Sequence, residues 1–482
     1  MDANIDRRQF IQLAAAGGAV CLGGQGILTF AAGSRGSSLV SPGCRRTKVK
    51  VARIYMGNPS GLWPKPTLDM KEEIKFYEAQ FAKSKDELRD VDFVVDELVS
   101  SPPDVAKLQD RLKDVDGILV IHFTMGTGGV LQEVLKSGKP TVVFARPYSG
   151  HQWTGFGRLQ KQKAGAKLEC MLTTDYGQLA VAIRPFRAIH HLREAKVLNV
   201  TTRSFAEYAG AVKDKFGTEI KQLERQRVLD AYDAVSDRDA RAEAKRWSGE
   251  ADAVVEPSPQ EVFRSCKLAL AFEKLMNEED ATVFTVDCYG TMWRNTIMLP
   301  AYPCLGFTRL NDMGLGGICE SDLQSAMTHI IMQGLVGKPG FISDPTVDES
   351  DNSIILAHCL GTRKMDGPDG PAAPYKLRTV MERREGVVPQ VEMRIGEKVT
   401  QAILLGMDFL PYFVGEIIGT PVSLEDDRGC RTKITVRVDG DVTKLWQNWN
   451  NGLHRQTCYG DITKELGMFC KFKDIKMVNE AV

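Results

Sequence analysis

Apolar runs alternate with amphipathic stretches through the first part of the chain. Four apolar runs predict β-strands, at 48–55, 92–96, 117–123 and 141–145. Helical spacing of apolar residues predicts helices at 70–89, 103–113 and 128–137. Because strands that alternate with helices at this spacing form βαβ units, we expect this part of the chain to fold around a parallel sheet.

The alternation repeats in the next part of the chain. Strands are predicted at 196–200 and 281–286, and helices at 205–216, 222–247, 258–277 and 320–335. Glu320 and Asp322 would stand in the first turn of the last helix, where the helix dipole favours acidic side chains. This part predicts a second parallel-sheet domain.

Beyond about residue 340 the pattern changes to short strands separated by Gly, Pro and Asp turns. Runs at 353–358, 389–395 and 432–438 are typical of a mostly β domain. The fold class predicted is therefore α/β, with two parallel-sheet domains followed by a β-rich one. A length of 482 residues agrees with about three domains. Their predicted limits are 46–160, 161–345 and 346–482.

The first 33 residues read as an export signal. Adjacent Arg7 and Arg8, with Phe10 two positions later, precede a weakly apolar stretch rich in Ala and Gly. This is typical of the twin-arginine type and predicts a periplasmic or extracellular protein. The alternative, a buried N-terminal helix, conflicts with the low helix propensity of so many glycines. The rest of the chain has no apolar run of about 20 residues, so no membrane span is expected there.

Composition narrows the function classes. The chain carries 62 basic and 62 acidic residues and has no net charge, which argues against a nucleic-acid partner and suits a neutral substrate. Eleven cysteines show no CxxC pair and no spacing from which disulfides follow. Neither a P-loop nor a GxSxG or HExxH motif is present.

Two short motifs have plain structural interpretations. Gly126–Gly129 is interpreted as a tight βα turn, and His190-His191 as surface or hydrogen-bonding residues.

Acids and histidines in the last third form a candidate metal site. Glu320, Asp344 and His358 are each predicted at the end of an element, and His454 in a Gly-flanked loop. Two carboxylates with one or two imidazoles can hold one divalent cation, and carboxylate-rich ligation suits Mn²⁺ or Mg²⁺ better than Zn²⁺. The spacing alone leaves a plainer alternative open, in which the acids cap helices and the histidines are structural.

Residues 319–344, CESDLQSAMTHIIMQGLVGKPGFISD, resemble the metal-binding stretch of the L-fucose and L-arabinose isomerase family. In that family a Glu opens a helix, a G-[KR]-P turn follows, and an acid ends the next strand. Glu320 and Asp344 match those two acids, and an Asp at the second position suits the fucose isomerase branch. The resemblance implies that both residues bind the metal and also act as acid and base.

The C-terminal segment GLHRQTCYGDITKELGMFCKF also resembles the closing segment of that family. His454 would be the third metal ligand, and His358 matches a further His ligand of the arabinose branch. Two departures stand out. Arg455 follows His454 where the family often has a second His, and enzymes of that family are cytoplasmic, whereas this chain carries an export signal.

The resemblance implies a scaffold of two Rossmann-like α/β domains and a β-rich domain, assembled into trimers or hexamers. It implies a Mn²⁺-dependent aldose–ketose isomerase that converts a free sugar such as L-fucose or L-arabinose through a cis-enediol. Two alternatives remain open at this point. One is a non-catalytic carbohydrate-binding protein on the same scaffold, and the other is a different metal-dependent enzyme such as a sugar lyase or epimerase.

Substrate contacts are expected from two further segments. Trp446, Trp449 and Asn451 precede His454 and would wall a sugar site, although a core role explains the tryptophans equally well. Arg146 and His151 follow a predicted strand, at the edge where open α/β sheets bind ligands. In an oligomer their loop would complete a neighbour's site. The alternative for this loop is a polar connection between domains.

Overall fold

A computed structural model describes residues 46–420 and 428–482. The predicted export signal at 1–33 lies outside the described residues. Within those two ranges, no helix combines the length and the apolar character needed to cross a bilayer.

The first sheet forms at the apolar runs of the first part of the chain. Its strands are β1 (Val49–Met56), β2 (Val91–Val99), β3 (Gly117–His122), β4 (Thr141–Ala145) and β5 (Leu168–Leu172). All are parallel, in the order β2-β1-β3-β4-β5. Every residue of the central strand β3 is buried, which explains its unbroken apolar run, since helices cover both faces of such a sheet. The associated helices are α1 (Met70–Lys83), α2 (Pro102–Ala106), α3 (Gln109–Leu112), α4 (Val130–Leu135), α5 (Phe156–Gln160) and α6 (Gln178–Val181).

A second parallel sheet follows. Its strands are β6 (Lys196–Val200), β7 (Glu219–Gln222), β9 (Val283–Val286) and β10 (Gly316–Ile318), in the order β10-β9-β6-β7. The short strand β8 (Ala253–Val254) pairs elsewhere. The helices of this part are α7 (Arg184–Glu194), α8 (Ala206–Phe216), α9 (Arg225–Ala234), α10 (Asp237–Glu250), α11 (Pro259–Glu278), α12 (Cys288–Met292), α13 (Cys304–Asp312) and α14 (Leu323–Val336).

The last part is β-rich, as predicted. Its strands are β11 (Phe341–Asp348), β12 (Ser353–His358), β13 (Tyr375–Val380), β14 (Glu385–Val391), β15 (Lys398–Ala402), β16 (Phe409–Gly419), β17 (Thr432–Val438), β18 (Arg455–Tyr459) and β19 (Lys476–Asn479). Seven of them form one sheet in the order β15-β18-β11-β12-β17-β16-β19, and a further pairing of β15 with β16 closes a barrel. β13 and β14 form a hairpin to which β8 adds a parallel strand. Helices α15 (Val442–Asn448) and α16 (Thr463–Phe472) complete the chain.

Two predictions for this part of the fold were wrong in detail, and a third was confirmed in one of its two alternatives. The helix predicted at 222–247 is two helices, because Val235 is extended and the Ser236 side chain accepts a hydrogen bond from the Asp239 backbone N–H, which starts α10. Of the two alternatives for His190-His191, the surface position is wrong because both residues are buried, while the hydrogen-bonding role is confirmed for His190, whose Nδ1 lies 2.9 Å from Asp116 Oδ2. Asp344 stands in the middle of β11 instead of at a strand end.

The layers of the fold do not follow chain order at every point. β5 joins the first sheet beyond residue 160, and residue 345 lies within β11. Helix α16 packs against α7, and its Phe472 stacks on Phe186 of α7 in the core of the first sheet. The three-domain division therefore stays a prediction, while the two parallel sheets and the β-rich region are observed.

Candidate active site

The candidate site lies where β10 ends beside the barrel strands. Glu320 follows β10 by two residues, and Asp344 projects from β11. His358 is the last residue of β12, and His454 immediately precedes β18. Ligand sites of open α/β sheets lie at this carboxyl edge of the strands.

The turn after β10 has an unusual backbone. Glu320 and Ser321 both have left-handed conformations, with φ angles of 61° and 54°. The helix predicted to begin at Glu320 in fact begins at Leu323, because Asp322 is extended and its side chain accepts a hydrogen bond from the Ser325 N–H at 2.9 Å. Consecutive left-handed residues other than glycine are costly and persist only where the surroundings impose them, which is common at functional sites.

The four predicted metal ligands come together. His454 Nε2 lies 3.5 Å from Glu320 Oε2 and 3.3 Å from Asp344 Oδ1. His358 Nε2 lies 4.0 Å from Glu320 Oε1, and its ring meets that of His454 edge-on with centroids 5.4 Å apart. Ligand atoms of Asp344, His358 and His454 all lie within 4.8 Å of one another. Asp344, His358 and His454 can therefore contact one cation, and Glu320 lies beside the two histidines, in a second close group with Cys319 and His358.

Asp322 is a site residue that the sequence did not reveal as one. Its Oδ2 accepts a hydrogen bond from His454 Nδ1 at 3.1 Å, while its Oδ1 caps helix α14. The Nε2 of His454 is thereby directed toward Glu320 and Asp344. Ligand histidines commonly hold their second nitrogen in this way. The sequence placed Asp322 near a helix start, but nothing in it linked that position to His454.

Protonation in the cluster is strongly shaped by burial and charge. Burial raises the pKa of Asp344 to about 6, against the opposing influence of His454. Burial disfavours the cationic form of His454, but hydrogen bonds to Asp322 and Glu320 outweigh it and raise the pKa of His454 to about 10. Burial, with a smaller effect of His454, lowers the pKa of His358 to about 3. Without a bound cation, His454 is therefore protonated and balances the charge of the surrounding carboxylates. To bind a metal through Nε2 it has to release that proton, so metal affinity at this site would rise with pH.

A cavity of about 320 Å³ opens at Glu320 and His454. Arg203 and Tyr208 form its other side, and neither residue was predicted. Arg203 follows β6, donates a hydrogen bond from Nη2 to the Glu320 carbonyl oxygen at 2.6 Å, and pairs with Asp287 at 3.3 Å. Its charge therefore lies next to the cluster, and it supports the left-handed turn.

Trp446, Trp449 and Asn451 do not line this cavity. Trp446 Nε1 donates a hydrogen bond to Glu349 at 2.7 Å. The centre of the Trp449 ring lies 3.3 Å from the guanidinium carbon of Arg455. Arg455 Nη2 also donates a hydrogen bond to the Asn451 carbonyl oxygen at 3.2 Å. Trp449 and Asn451 thus support the buried Arg455 beside His454, and Trp449 packs against the core of the barrel, so the structure favours the core role for Trp449.

Arg146 and His151 also lie apart from the cluster. Arg146 Nη2 pairs with Glu73 at 2.5 Å, and the His151 ring lies 5.1 Å from that of Trp63. Both residues follow β4, whose carboxyl edge belongs to the first sheet. Their predicted role in a neighbouring subunit's site stays a prediction.

The cluster has the donor chemistry of a divalent-cation site. Asp344 Oδ1 is buried and accepts no hydrogen bond from the described residues, although it faces His454 Nε2. A buried polar atom without a partner is costly, and a cation would satisfy it. Carboxylate oxygens with imidazole nitrogens fit Mn²⁺ and related ions. The residues present therefore fit the implied metal.

Comparison with known proteins gives one distant similarity. No family model matches the chain. A sulfoquinovose isomerase from Clostridium sp. strain MSTE9 is 27% identical over 176 residues. That match covers 34% of this chain and 37% of the relative's own length. The similarity thus supports a sugar isomerase family at most, and it spans well under two thirds of the relative.

Proposed function

We propose that the protein is a divalent-metal-dependent aldose–ketose isomerase that acts on a free sugar such as L-fucose or L-arabinose. The observation that carries the proposal is that Glu320 and Asp344 both approach His454, which lines an open cavity together with Glu320. The distant similarity to a protein named as a sugar isomerase supports the same reaction class. Residues from three separate segments of the chain share this position, which independent helix caps would not explain.

Glu320, Asp344 and His454 would hold the cation, with His358 as the fourth ligand. When bound, Mn²⁺ supplies Lewis acidity that makes the C–H bond beside the sugar carbonyl more acidic. The two oxygen donors favour Mn²⁺ over a thiophilic metal. Asp322 keeps His454 in one orientation through the 3.1 Å hydrogen bond to Nδ1.

The two carboxylates would carry the proton transfers. One removes the proton from C2 of the aldose while the carbonyl oxygen at C1 gains a proton, which gives the cis-enediol. Loss of the proton from the C2 hydroxyl and return of a proton to C1 then give the ketose. General acid–base groups of this kind contribute roughly 10²–10⁴-fold to the rate. Since Glu320 and Asp344 come from different elements, they can serve different atoms of the sugar.

The proposal is tested by the variants Glu320→Gln and Asp344→Asn, with Asp348→Asn as the matched control. Asp348 lies on the same strand as Asp344, but it is exposed and bonded to Ser350. We expect each site variant to lose at least about 100-fold in kcat/KM, and the control to keep its activity. The assay measures ketose formation from L-fucose, L-arabinose and the aldose form of sulfoquinovose, with Mn²⁺ and after chelation.

Three outcomes would contradict the proposal. Full activity of Glu320→Gln on every sugar that the wild type converts would exclude the assigned role. Sugar-dependent thermal stabilisation without turnover would identify a carbohydrate-binding protein instead. Formation of a cleavage product or an epimer, in place of a ketose, would identify a lyase or an epimerase.

Export and assembly belong to the same proposal. The Arg7-Arg8 pattern supports export by the twin-arginine route, and the family resemblance supports a trimer or hexamer. Changing both arginines to lysine should keep a fused reporter in the cytoplasm, and light scattering should give the mass of the assembly. A reporter that is exported equally well without the arginines would exclude that route.

A further inference from the structure

Cysteines are concentrated around one small cavity. Five of the nine cysteines in the described ranges line a cavity of about 50 Å³, which also touches Glu320, Asp344 and His358. They fall into two groups: Cys288, Cys304 and Cys319 on one side, and Cys359 and Cys430 on the other. The reaction proposed for the carboxylates and histidines uses none of these thiols.

The second group includes a carboxylate. Cys359 Sγ lies 3.7 Å from Cys430 Sγ, and Glu382 Oε2 lies 3.6 Å from Cys359 Sγ. Glu382 Oε1 lies 3.7 Å from Cys430 Sγ. One ligand atom from each of the three side chains lies within 4.8 Å of the others. Glu382 Oε1 also lies 3.9 Å from Cys359 Sγ, so the two sulfurs and this one oxygen form a nearly equilateral triangle.

These separations match the edges of a tetrahedral zinc site. Zinc binds thiolate sulfur at about 2.3 Å and carboxylate oxygen at about 2.0–2.2 Å, with tetrahedral angles. The corresponding S–S and S–O edges are about 3.5–3.8 Å long. Cys288 and Cys319 differ, because their sulfurs are only 3.1 Å apart, too close for two corners of such a tetrahedron. The geometry therefore separates the two groups.

The three residues come from different segments. Cys359 follows the last residue of β12, Glu382 lies in the turn between β13 and β14, and Cys430 stands two residues before β17. A cation shared by them would tie the hairpin to two barrel strands. Three protein ligands leave a fourth position for water, as in other zinc sites with three protein ligands.

We propose that Cys359, Cys430 and Glu382 form a second metal site, for Zn²⁺ or another thiophilic divalent cation. It is chemically distinct from the oxygen- and nitrogen-rich cluster at Glu320, because thiolates select softer metals than carboxylates do. The proposal does not depend on isomerase activity, since it concerns binding by other residues.

Cadmium is the probe that separates the two sites. Cadmium–thiolate bonds give an ultraviolet charge-transfer band, whereas binding at carboxylates and imidazoles does not. We expect the reduced full-length protein to develop this band with one equivalent of Cd²⁺. Added Zn²⁺ should displace the Cd²⁺ and remove the band.

Cys430→Ser should weaken cadmium binding at least about tenfold, since even loss of an outer-shell partner costs 10–100-fold in other metal sites. Cys288→Ser, from the opposite wall of the cavity, is the matched control and should keep the band.

A second measurement, of the melting temperature with and without Zn²⁺, distinguishes loss of metal binding from poor folding of a variant. Zn²⁺ should raise the melting temperature of the wild type, and Glu382→Gln should reduce that increase while circular dichroism shows a folded protein. The proposal is overturned if the reduced wild type shows no thiolate band. It is also overturned if Cys430→Ser keeps the band, or if Cys288→Ser loses it. Since no assay here measures sugar conversion, failure of this proposal and failure of the isomerase proposal are distinguishable.

Discussion

At the scale of single residues, Asp322 combines two roles in one carboxylate. One oxygen caps helix α14 through the Ser325 N–H, and the other holds His454 Nδ1. Asparagine caps helices about as well as aspartate does, so replacing the acid by its amide changes the second role much more than the first. The charge and the cap can therefore be separated by experiment.

We expect Asp322→Asn to weaken Mn²⁺ binding by roughly 10–100-fold while the free energy of unfolding changes little. The affinity is measured by calorimetric titration, and the stability by denaturant unfolding. Asp441→Asn is the matched control, because Asp441 caps α15 through the Thr443 N–H but contacts no histidine in the described ranges. Equal Mn²⁺ affinity in the two variants would show that Asp322 does not orient His454.

Glu320, Asp344 and His454 were predicted from the sequence because two segments resemble known metal-binding stretches, and His358 because it follows a predicted strand and matches a ligand position of the arabinose branch. Asp322 and Arg203 could not be assigned to the site in that way. The partner of Asp322 lies 132 residues further along the chain, and Arg203 reaches a backbone carbonyl 117 residues away. Only the folded chain shows such pairs, since local spacing contains no information about them.

At the scale of elements, the close contact between β10 and α13 positions the turn that carries Glu320. A Cβ atom at Gly317 would lie 2.4 Å from the backbone Cα and O atoms of Phe307. Backbone atoms cannot move aside as a flexible side chain can, so only glycine fits this position. Glu320 follows three residues later, and its position therefore depends on this contact.

We expect Gly317→Ala to lower the free energy of unfolding by roughly 1–3 kcal/mol, as overpacking in a core does. Activity should fall as well, because β10 leads directly into the turn that carries Glu320. The control is Gly210→Ala in α8, where an added Cβ meets nothing within 4 Å. This control should stabilise the protein by about 0.5–1 kcal/mol, since alanine favours helices over glycine. Chemical denaturation measures both, and a Gly317→Ala variant as stable as the wild type would contradict the close contact.

Element boundaries near the site were the least predictable part of the fold. Helical spacing of apolar residues extends back to Glu320, but the left-handed backbone at Glu320 and Ser321 delays the helix to Leu323. Ser321 Oγ donates a hydrogen bond to Asn199 Oδ1 at 2.7 Å, and Arg203 holds the Glu320 carbonyl. Contacts with β6 and the residues after it thus override the local helix preference.

At the scale of the whole molecule, a buried ionic network joins three helices beside the second sheet. Arg309 of α13 lies 2.9 Å from Glu243 of α10 and 2.7 Å from Glu273 of α11. Burial raises the pKa of Glu243, but Arg246 and Arg309 outweigh it and lower the pKa to about 2. The network therefore depends on an ionised Glu243.

Stability should accordingly decline in acid. Because the folded pKa of Glu243 lies below its ordinary value of 4.5, its contribution is complete above about pH 4.5 and is lost as the pH falls toward 2. The ionised Glu243 contributes ~3 kcal/mol to the free energy of unfolding. Relative to the wild type, Glu243→Gln should be destabilised at pH 7, and the difference should shrink by that amount between pH 5 and 2.

Urea unfolding at a series of pH values measures this difference, and Glu207→Gln serves as the control because Glu207 is exposed on α8. The control should follow the wild type at every pH. A constant difference between Glu243→Gln and the wild type across the acid range would contradict the ionic role of Glu243.

The sequence by itself determined the alternation of strands and helices, the change to a β-rich region near residue 340 and the identity of four clustered side chains. These features follow from periodicity and short motifs, which neighbouring residues express. The tertiary structure decided how α16 packs on the first sheet, how Asp322 reaches His454, and how Cys359 and Cys430, 71 residues apart, lie 3.7 Å from each other. Such contacts form only in the folded chain, because tertiary packing, and not local propensity, brings distant residues together.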